Sequence, residues 1–364
     1  MAQPQQKMEN AMHTRMNFGL FRDKPLPPNG RSVAIAGAGP SGLIAAGYLA
    51  CQGYHVEVFD KMPKPGGLLF FGIPDFRLPV DRPEAAAKLL EEQYGVVYHM
   101  RTKIVGEPDE PHDEGDDFEP EKISLLALKE KFDAVIVCTG SWRSRRMGIP
   151  GEDLPGVLSG LEYLFPLRGA TCSGEVCISK ALAKKVVIIG GGLSAMDAAE
   201  CALRSGADRV TMLYRRTVEE APAGPYEIHM LQDRGMIWKE LAMPLKILGK
   251  DMVEGVEYLQ CSLGEPDESG RRCPLPQDGS NLVIDADMVI SAVGELPSLP
   301  LAERLDIKKV RKGATSWPRM TMVDGIFVAG DALTGPSKIG WAITGGLEAA
   351  RSLEQWLNHT QHRA

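Results

Sequence analysis

Two glycine-rich turns, each set between an apolar run and a segment of small apolar residues, constrain this 364-residue chain more than any other feature. The first lies in residues 33–60, VAIAGAGPSGLIAAGYLACQGYHVEVFD. Residues 33–36 have strand character and run into Gly37-Ala38-Gly39-Pro40-Ser41-Gly42, and residues 43–51 suit a buried helix. A second strand is expected over 55–59, ending in Asp60. Each position has a physical task. Gly37 permits the tight strand-to-helix turn, and Gly39 has no side chain to keep a pyrophosphate off the backbone. Gly42 lets the helix lie close on the sheet. The helix N-terminus offers free N–H groups and positive dipole, and Asp60 stands where a carboxylate can accept hydroxyls of an adenosine ribose.

The second turn repeats this logic 153 residues later (37 to 190), at Gly190-Gly191-Gly192-Leu193-Ser194-Ala195. Its second strand, expected over 210–213, ends in Tyr214-Arg215-Arg216 rather than in an acid. Two guanidinium groups there suit the 2′-phosphate of a phosphorylated adenosine; the alternative is that both are solvated surface charges. Each unit also has a closing apolar strand followed by glycine. These are FDAVIVCT (132–139) before Gly140 and ADMVISAVG (286–294).

Between these landmarks, residues 61–79, KMPKPGGLLFFGIPDFRLP, hold Gly66, Gly67, Gly72 and four prolines, which forbid regular structure over much of the stretch. Its apolar residues Leu68 to Phe71 and Ile73 suit a wall for a flat aromatic ligand, or else a loop closing over the core. A helix is expected over 81–93 and a strand over 96–99. Residues 106–121 carry nine acids and three prolines and are expected to be a solvated loop. Strands are expected over 254–261 and 282–284. Near the C-terminus a strand over 326–329 ends in Gly330-Asp331, and a helix starting near 339–341, at Trp341, runs to about 357. A carboxylate at that strand end can hold a polyol hydroxyl. The helix N-terminus after it favours a ligand edge that becomes anionic, as a reduced flavin does.

Composition excludes several classes. A formal net charge of −7 argues against nucleic acid as a partner, and no apolar run reaches membrane-spanning length. Residues 1–29 are polar, lack a signal-peptide core and read as an extended arm, so a cytoplasmic location is expected. The seven cysteines (51, 138, 172, 177, 201, 261 and 273) contain no CxxC pair and no zinc or iron–sulfur spacing, so no metal is expected. Cys172 and Cys177 are the nearest pair. Length favours more than one domain.

Taken together, GAGPSG with Asp60, GGGLSA with Arg215 and Arg216, and GIFVAGD resemble the two-dinucleotide-binding flavoprotein superfamily. Within it, KMPKPGGLLFFGIPDFRLP, SAMDAAECALRSGA, YRR and AGDALTGP look like the glutamate synthase small-subunit family of NADPH-dependent oxidoreductases. The resemblance covers about residues 31–353. It implies an α/β fold of two Rossmann-like domains, with an NAD(P)H domain (151–299) inserted into a discontinuous FAD domain (30–150 and 300–364). FAD would lie on Gly37, Gly39, Pro40, Ser41 and Gly42, with Asp60 on its ribose. Gly67, Leu68, Gly72 and Ile73 would line its ring system, with Thr139, Gly140, Gly330, Asp331 and Trp341 completing the site. NADPH would lie on Gly191, Gly192, Leu193 and Ser194, with Arg215 and Arg216 on its 2′-phosphate. The chemistry implied is hydride transfer between NADPH and FAD, with no side chain needed as acid or base.

Two departures qualify the resemblance. Fuller members carry an amino-terminal iron–sulfur domain where this chain has a polar arm, so electrons are expected to leave for a separate iron–sulfur protein or subunit; an oligomer is compatible with this. Leu193 replaces the family's asparagine. A thioredoxin-reductase-type disulfide reductase, a flavin monooxygenase and a flavoprotein scaffold without nicotinamide turnover remain as alternatives.

Overall fold

The apolar run that meets the first glycine turn becomes the middle strand of a parallel sheet, because every one of its side chains is covered on both faces. In the computed structural model this strand is Ser32–Ala36, with Val33 to Ala36 fully buried. The structure describes residues 17–19, 22, 24–106, 112–118, 120–173, 183–267 and 270–361. By packing, the chain forms two units: residues 1–71, 75–143 and 296–364 in the first, and residues 72–74 and 144–295 in the second. The chain passes between them at 71/72, 74/75, 143/144 and 295/296.

In the first unit Ser32–Ala36 pairs in parallel with His55–Phe59 on one side and Ala134–Val137 on the other. Val97–His99 and Ile326–Val328 extend the two edges, also in parallel. The fingerprint strand is therefore central, and the chain reverses its direction of travel across the sheet between it and Ala134–Val137. That is the topological switch point of a doubly wound sheet, where ligands bind outside the carboxyl ends of the strands. One face packs Ala34, Val135 and Val328 against Leu125, Leu128, Phe132 and Leu305. The other takes the helix Pro40–Cys51, whose residues from Ser41 onward are all buried. Truncating a buried leucine such as Leu43 in such a helix costs about 2–5 kcal/mol. The C-terminal helix Ile339–Gln361 lies on it so closely that a Cβ on Gly346 would fall 2.1 Å from the Ser41 carbonyl oxygen.

The second unit repeats the arrangement. Lys185–Ile189 is flanked by Arg209–Leu213 and Met288–Ser291, with Ile237–Lys239 and Val157–Ser159 outermost, all parallel. Val186 and Ile188 face the helix Leu193–Arg204, packing on Ala195, Met196 and Ala199. Val187 and Ile189 face an antiparallel sheet built from Ala242–Gly249, Val253–Pro266, Arg272–Pro276 and Leu282–Asp285.

Three expectations are corrected. Leu68–Phe71 forms a helical turn, and Leu69, Phe70 and Phe71 are each no more than 3% exposed. These aromatics close over the core instead of forming an open wall, because burying two phenylalanines outweighs leaving them beside water. The acidic stretch is not simply solvated. Asp113 is 3% exposed and a short 3-10 turn forms at Asp116–Phe118, since buried cations bind its carboxylates. Residues 107–111 and 119 lie outside the described residues. The arm is anchored in part. Phe18 is buried, and the Tyr94 hydroxyl shares its one proton between the Gly19 and Arg22 carbonyl oxygens, each 2.8 Å away. Residues 1–16 lie outside the described residues.

Candidate functional site

Glycine geometry marks one site in each unit. In the first, Gly37 has φ +111, and a Cβ there would fall 2.3 Å from the Cys138 carbonyl oxygen of the neighbouring strand. A Cβ on Gly42 would fall 1.8 Å from the Gly37 carbonyl oxygen. Both positions therefore demand glycine: the first for its left-handed backbone and close approach, the second for the close approach alone. A Cβ on Gly39 would meet nothing within 4 Å, which is the open face a diphosphate needs. Pro40 occupies the first helical turn, where its missing N–H costs nothing and the N–H groups of Ser41 and Gly42 remain.

The Asp60 carboxylate accepts from the Ala38 N–H at 2.5 Å and from the Met62 N–H at 2.8 Å, which ties the second strand to the glycine turn. Burial pushes its carboxyl up, against those two hydrogen bonds. Each oxygen keeps a further lone-pair direction, and Asp60 lines a cavity of about 680 Å³. Gly37, Lys61, Lys103, Thr139, Trp142 and Ser298 also line that cavity, whose size suits a small ligand. Gly66 donates to the Ala38 carbonyl, and a Cβ on Gly67 would fall 2.9 Å from the Gly39 Cα, so the second glycine loop rests on the first. Leu68 is half-buried beside it, whereas Gly72 and Ile73 pack with the second unit.

Across the switch point, the Thr139 hydroxyl donates to the Ser298 carbonyl, and Ser298 N–H donates to the Gly140 carbonyl at 3.0 Å. Gly330, with φ +63, lies against Ser41: a Cβ there would fall 2.8 Å from the Ser41 hydroxyl oxygen. Asp331 follows it. Burial pushes its carboxyl up, against a 2.5 Å hydrogen bond donated by the Ser337 hydroxyl. Ile339 and Trp341, at the start of the last helix, are 37% and 70% exposed. The first unit thus gathers Gly37, Gly39, Pro40, Ser41, Gly42, Asp60, Gly67, Thr139, Gly140, Gly330 and Asp331 at the carboxyl ends of its strands.

A buried ion cluster forms the wall of this cavity, and nothing in the sequence pattern singled it out. Lys61 Nζ lies 3.1 Å from Asp116 and 3.8 Å from Asp113. Lys103 Nζ lies 2.6 Å from Asp116 and 3.5 Å from Asp113. Arg143 donates two hydrogen bonds of 3.2 Å to one Asp113 oxygen, and Lys61 also sits 4.9 Å over the Trp142 ring. Desolvation pushes the Lys61 ammonium down, opposed by Asp113 and Asp116. The only local clue was the excess of acids in 112–118, with Lys61 shortly after the strand His55–Phe59 and Lys103 on the strand Thr102–Val105.

In the second unit a Cβ on Gly190, at φ +147, would fall 2.3 Å from the Ala292 carbonyl oxygen, the counterpart of Gly37 and Cys138. Gly192 faces open space, as Gly39 does. Gly191 carries the Tyr214 ring, which a Cβ would meet at 2.6 Å. Leu193 is 42% exposed at the helix N-terminus, with Ser194 half-buried beside it. The two arginines part company here. Arg215 is exposed, whereas Arg216 is 3% exposed. Arg216 donates from Nε to the Arg272 carbonyl at 2.6 Å and from Nη2 to Asp267 at 3.2 Å. The expectation that both guanidiniums stand open to a phosphate is therefore corrected for Arg216. Its charge is spent on the hairpin joining Val253–Pro266 to Arg272–Pro276.

Of the cysteines, Cys51, Cys138 and Cys261 are buried, and Cys201 and Cys273 are half-buried. The Cys172 side chain and Cys177 lie outside the described residues. Among the described residues no group of histidine, cysteine and acid side chains is placed to hold a metal, and no helix is long and apolar enough to cross a membrane.

Comparison with known proteins agrees with this geometry. The family model described as pyridine nucleotide-disulphide oxidoreductase matches residues 31–358. The NADPH-Fe(3+) oxidoreductase subunit beta of Geobacter sulfurreducens is 34% identical over 365 residues, covering 92% of this chain and 51% of that one. The glutamate synthase [NADPH] small chain of Azospirillum brasilense is 35% identical over 348 residues, covering 92% and 68%. The chain spans about half the length of the first of these relatives. Among solved structures, Mycobacterium tuberculosis FprA in complex with NADPH superposes with a TM-score of 0.72 at 21% identity, covering 93% of this chain and 86% of that one. Lactococcus lactis thioredoxin reductase gives 0.60 at 22%, covering 90% and 99%. These two share the fold of two dinucleotide-binding units.

Proposed function

The chain belongs to the pyridine nucleotide-disulphide oxidoreductase family, oxidoreductases that work with FAD and NAD(P)H, and from that premise we propose that it moves hydride between NADPH and FAD and passes the electrons to a separate acceptor. The observation that carries this reading is the pair of matched glycine turns with opposite charge at the second strand's end. Asp60 in the first unit suits free ribose hydroxyls, and Arg215 in the second suits a phosphorylated ribose.

FAD would be held on the open face of Gly39 and the N–H groups of Ser41 and Gly42. Asp60 would take the adenosine ribose on its remaining lone pairs, and Asp331 would meet the ribityl and diphosphate region. The residues fit such a group: the glycine cradle is open, and a cavity extends from it past Asp60 and Lys61. Bound there, FAD would supply the redox chemistry of hydride and electron transfer. The chain's own part is to orient, exclude water and balance charge. NADPH would lie over Gly191 and Gly192 at the N-terminus of Leu193–Arg204, where Arg215 favours the 2′-phosphate.

The acceptor is a partner subunit or protein carrying iron–sulfur clusters. Relatives named as subunits support a partner chain: the Geobacter protein is the beta subunit of an NADPH-Fe(3+) oxidoreductase, and a Moorella thermoacetica relative is the beta subunit of an NADP(+)-dependent formate dehydrogenase.

An anaerobic titration of the purified protein with NADPH and with NADH, following flavin absorbance, tests the reading. Bleaching at lower NADPH than NADH is expected. Protein that cannot be reconstituted with FAD, or flavin that neither nucleotide bleaches, would defeat it.

A further inference from the structure

Three hydroxyls line the cavity beside Asp60, those of Thr102, Thr139 and Ser298. Two of them have spent their protons. The Thr102 hydroxyl donates to the Met100 carbonyl at 3.2 Å, and the Thr139 hydroxyl donates to the Ser298 carbonyl. The Ser298 hydroxyl differs. Its oxygen accepts from the Trp142 N–H at 3.1 Å, and its proton meets no acceptor among the described residues. Ser298 is only 9% exposed and lies on the cavity wall, so this donor is largely shut away from bulk water. A buried donor left without an acceptor costs free energy comparable to a lost hydrogen bond, which a ligand in the cavity would restore. The cations of the same wall are engaged elsewhere: Lys61 donates to the Glu114 carbonyl at 2.8 Å and to Asp116 at 3.1 Å, Lys103 to Asp116, and Arg143 to Asp113.

Ser298 is held in place by backbone. Its N–H donates to the Gly140 carbonyl at 3.0 Å, so the residue is fastened to segment 139–142 at three points. That segment starts against the first glycine turn. A Cβ on Gly37 would fall 3.1 Å from the Thr139 nitrogen, and the next residue, Ala38, donates its N–H to Asp60. Ser298 and Asp60 therefore stand on one cavity, each fixed through the same turn.

We propose that Ser298 determines specificity at the adenosine end of FAD, its hydroxyl donating to the ribose hydroxyl whose own proton Asp60 accepts. The assignment rests on the reading of the first unit as the FAD site. A ribose hydroxyl is donor and acceptor at once, and an ionised carboxylate, which only accepts, satisfies one half of it. Ser298 supplies the other half, from 238 residues downstream of Asp60 (60 to 298) and outside the glycine fingerprint. A deoxyribose leaves both protein groups unpaired, which is how a site built to bond a hydroxyl rejects the analogue that lacks it.

The test reconstitutes the full chain, stripped of flavin, with FAD and with FAD analogues lacking the 2′- or the 3′-hydroxyl of the adenosine ribose. Affinities are read by calorimetry and flavin fluorescence quenching, which need no turnover. The parent should bind one of the two analogues about tenfold or more weakly than FAD, the loss of a charge-assisted contact together with a neutral one. Ser298→Ala should narrow that ratio by about three- to tenfold, the worth of one neutral hydrogen bond. Stripping the Trp142 N–H of its acceptor lowers all three ligands alike and leaves the ratio in place, so a purely structural serine is told apart. Ser298→Cys, a weak donor of similar shape, should narrow the ratio in the same direction and carries the comparison where Ser298→Ala does not fold. If the parent takes up FAD and neither variant changes the ratio, the inference is overturned and the FAD reading stands. If the parent takes up no FAD, the reading of the first unit falls with it.

Discussion

Replacing Asp113 by asparagine removes one negative charge from the centre of three cations without changing the side chain's shape. Asp113 is 3% exposed, and Lys61 and Lys103 have side chains only 9% and 10% exposed. Breaking a buried pair by deleting one partner costs about 3–5 kcal/mol, because the other charge is left desolvated. Here the cost is smaller. Both lysines keep Asp116 at 3.1 and 2.6 Å, and Arg143, a third exposed, can turn to water. A loss of about 2–3 kcal/mol is expected, equivalent to a shift of about 30- to 150-fold in the unfolding equilibrium. Asp116→Asn strips both lysines of their nearer partner and should cost more than Asp113→Asn. Urea unfolding followed by circular dichroism, in FAD-loaded protein at low salt and at about 1 M salt, measures both. A buried cluster is poorly screened, so the difference between variants should survive the salt. Because the cluster lines the cavity, FAD should also leave each variant faster, read as recovery of flavin fluorescence on dilution. A midpoint for Asp113→Asn within about 0.5 kcal/mol of the parent, or a difference abolished by salt, would refute the reasoning.

The same cluster sets an acid limit. Burial raises the Asp116 carboxyl, but hydrogen bonds from Lys103, the Asp113 N–H and Lys61 outweigh it and hold the group below the usual carboxylate range. A group lowered on folding contributes stability above its unfolded pKa of about 3.9 and loses it as pH falls through the lower folded value. FAD retention should therefore hold down to about pH 4 and fail below it, and Asp116→Asn should flatten that step; an unchanged step would remove Asp116 from the account. Cys138, buried at the switch point and hydrogen-bonded by the Ser41 hydroxyl, has its thiol pushed up to about 12 by desolvation. It should resist alkylation at pH 8 in folded protein and react on denaturation, as peptide mapping would show, and rapid native labelling would contradict its burial.

Local chemistry makes the two nucleotide turns legible from the amino-acid order alone. A left-handed glycine, a glycine at a helix–strand contact and a terminal acid or arginine are short-range demands, met within about 25 residues of chain. Gly37 against Cys138 and Gly190 against Ala292 are tertiary contacts, yet the paired closing strands FDAVIVCT and ADMVISAVG already imply them. The strand over 55–59 and the helix starting at residue 81 are legible for the same reason: the alternation of the one, and Pro83 in the first turn and Gly95 at the end of the other, are local features.

What the sequence left open were the outcomes of long-range competition. Composition made residues 112–118 look solvated, because Lys61, Lys103 and Arg143 lie far from them in sequence or on other elements; only the fold brings those charges within 4 Å. The apolar residues 68–71 could serve a ligand or the core, and burial of Phe70 and Phe71 was decided by the space their neighbours left. Adjacent arginines are indistinguishable as letters. Backbone direction at the strand end turns Arg215 outward and sends Arg216 to Asp267 and the Arg272 carbonyl, a partner 56 residues away. Turn geometry belongs to the chain's local stereochemistry, whereas the fate of each charge depends on which desolvated partner the folded chain sets beside it.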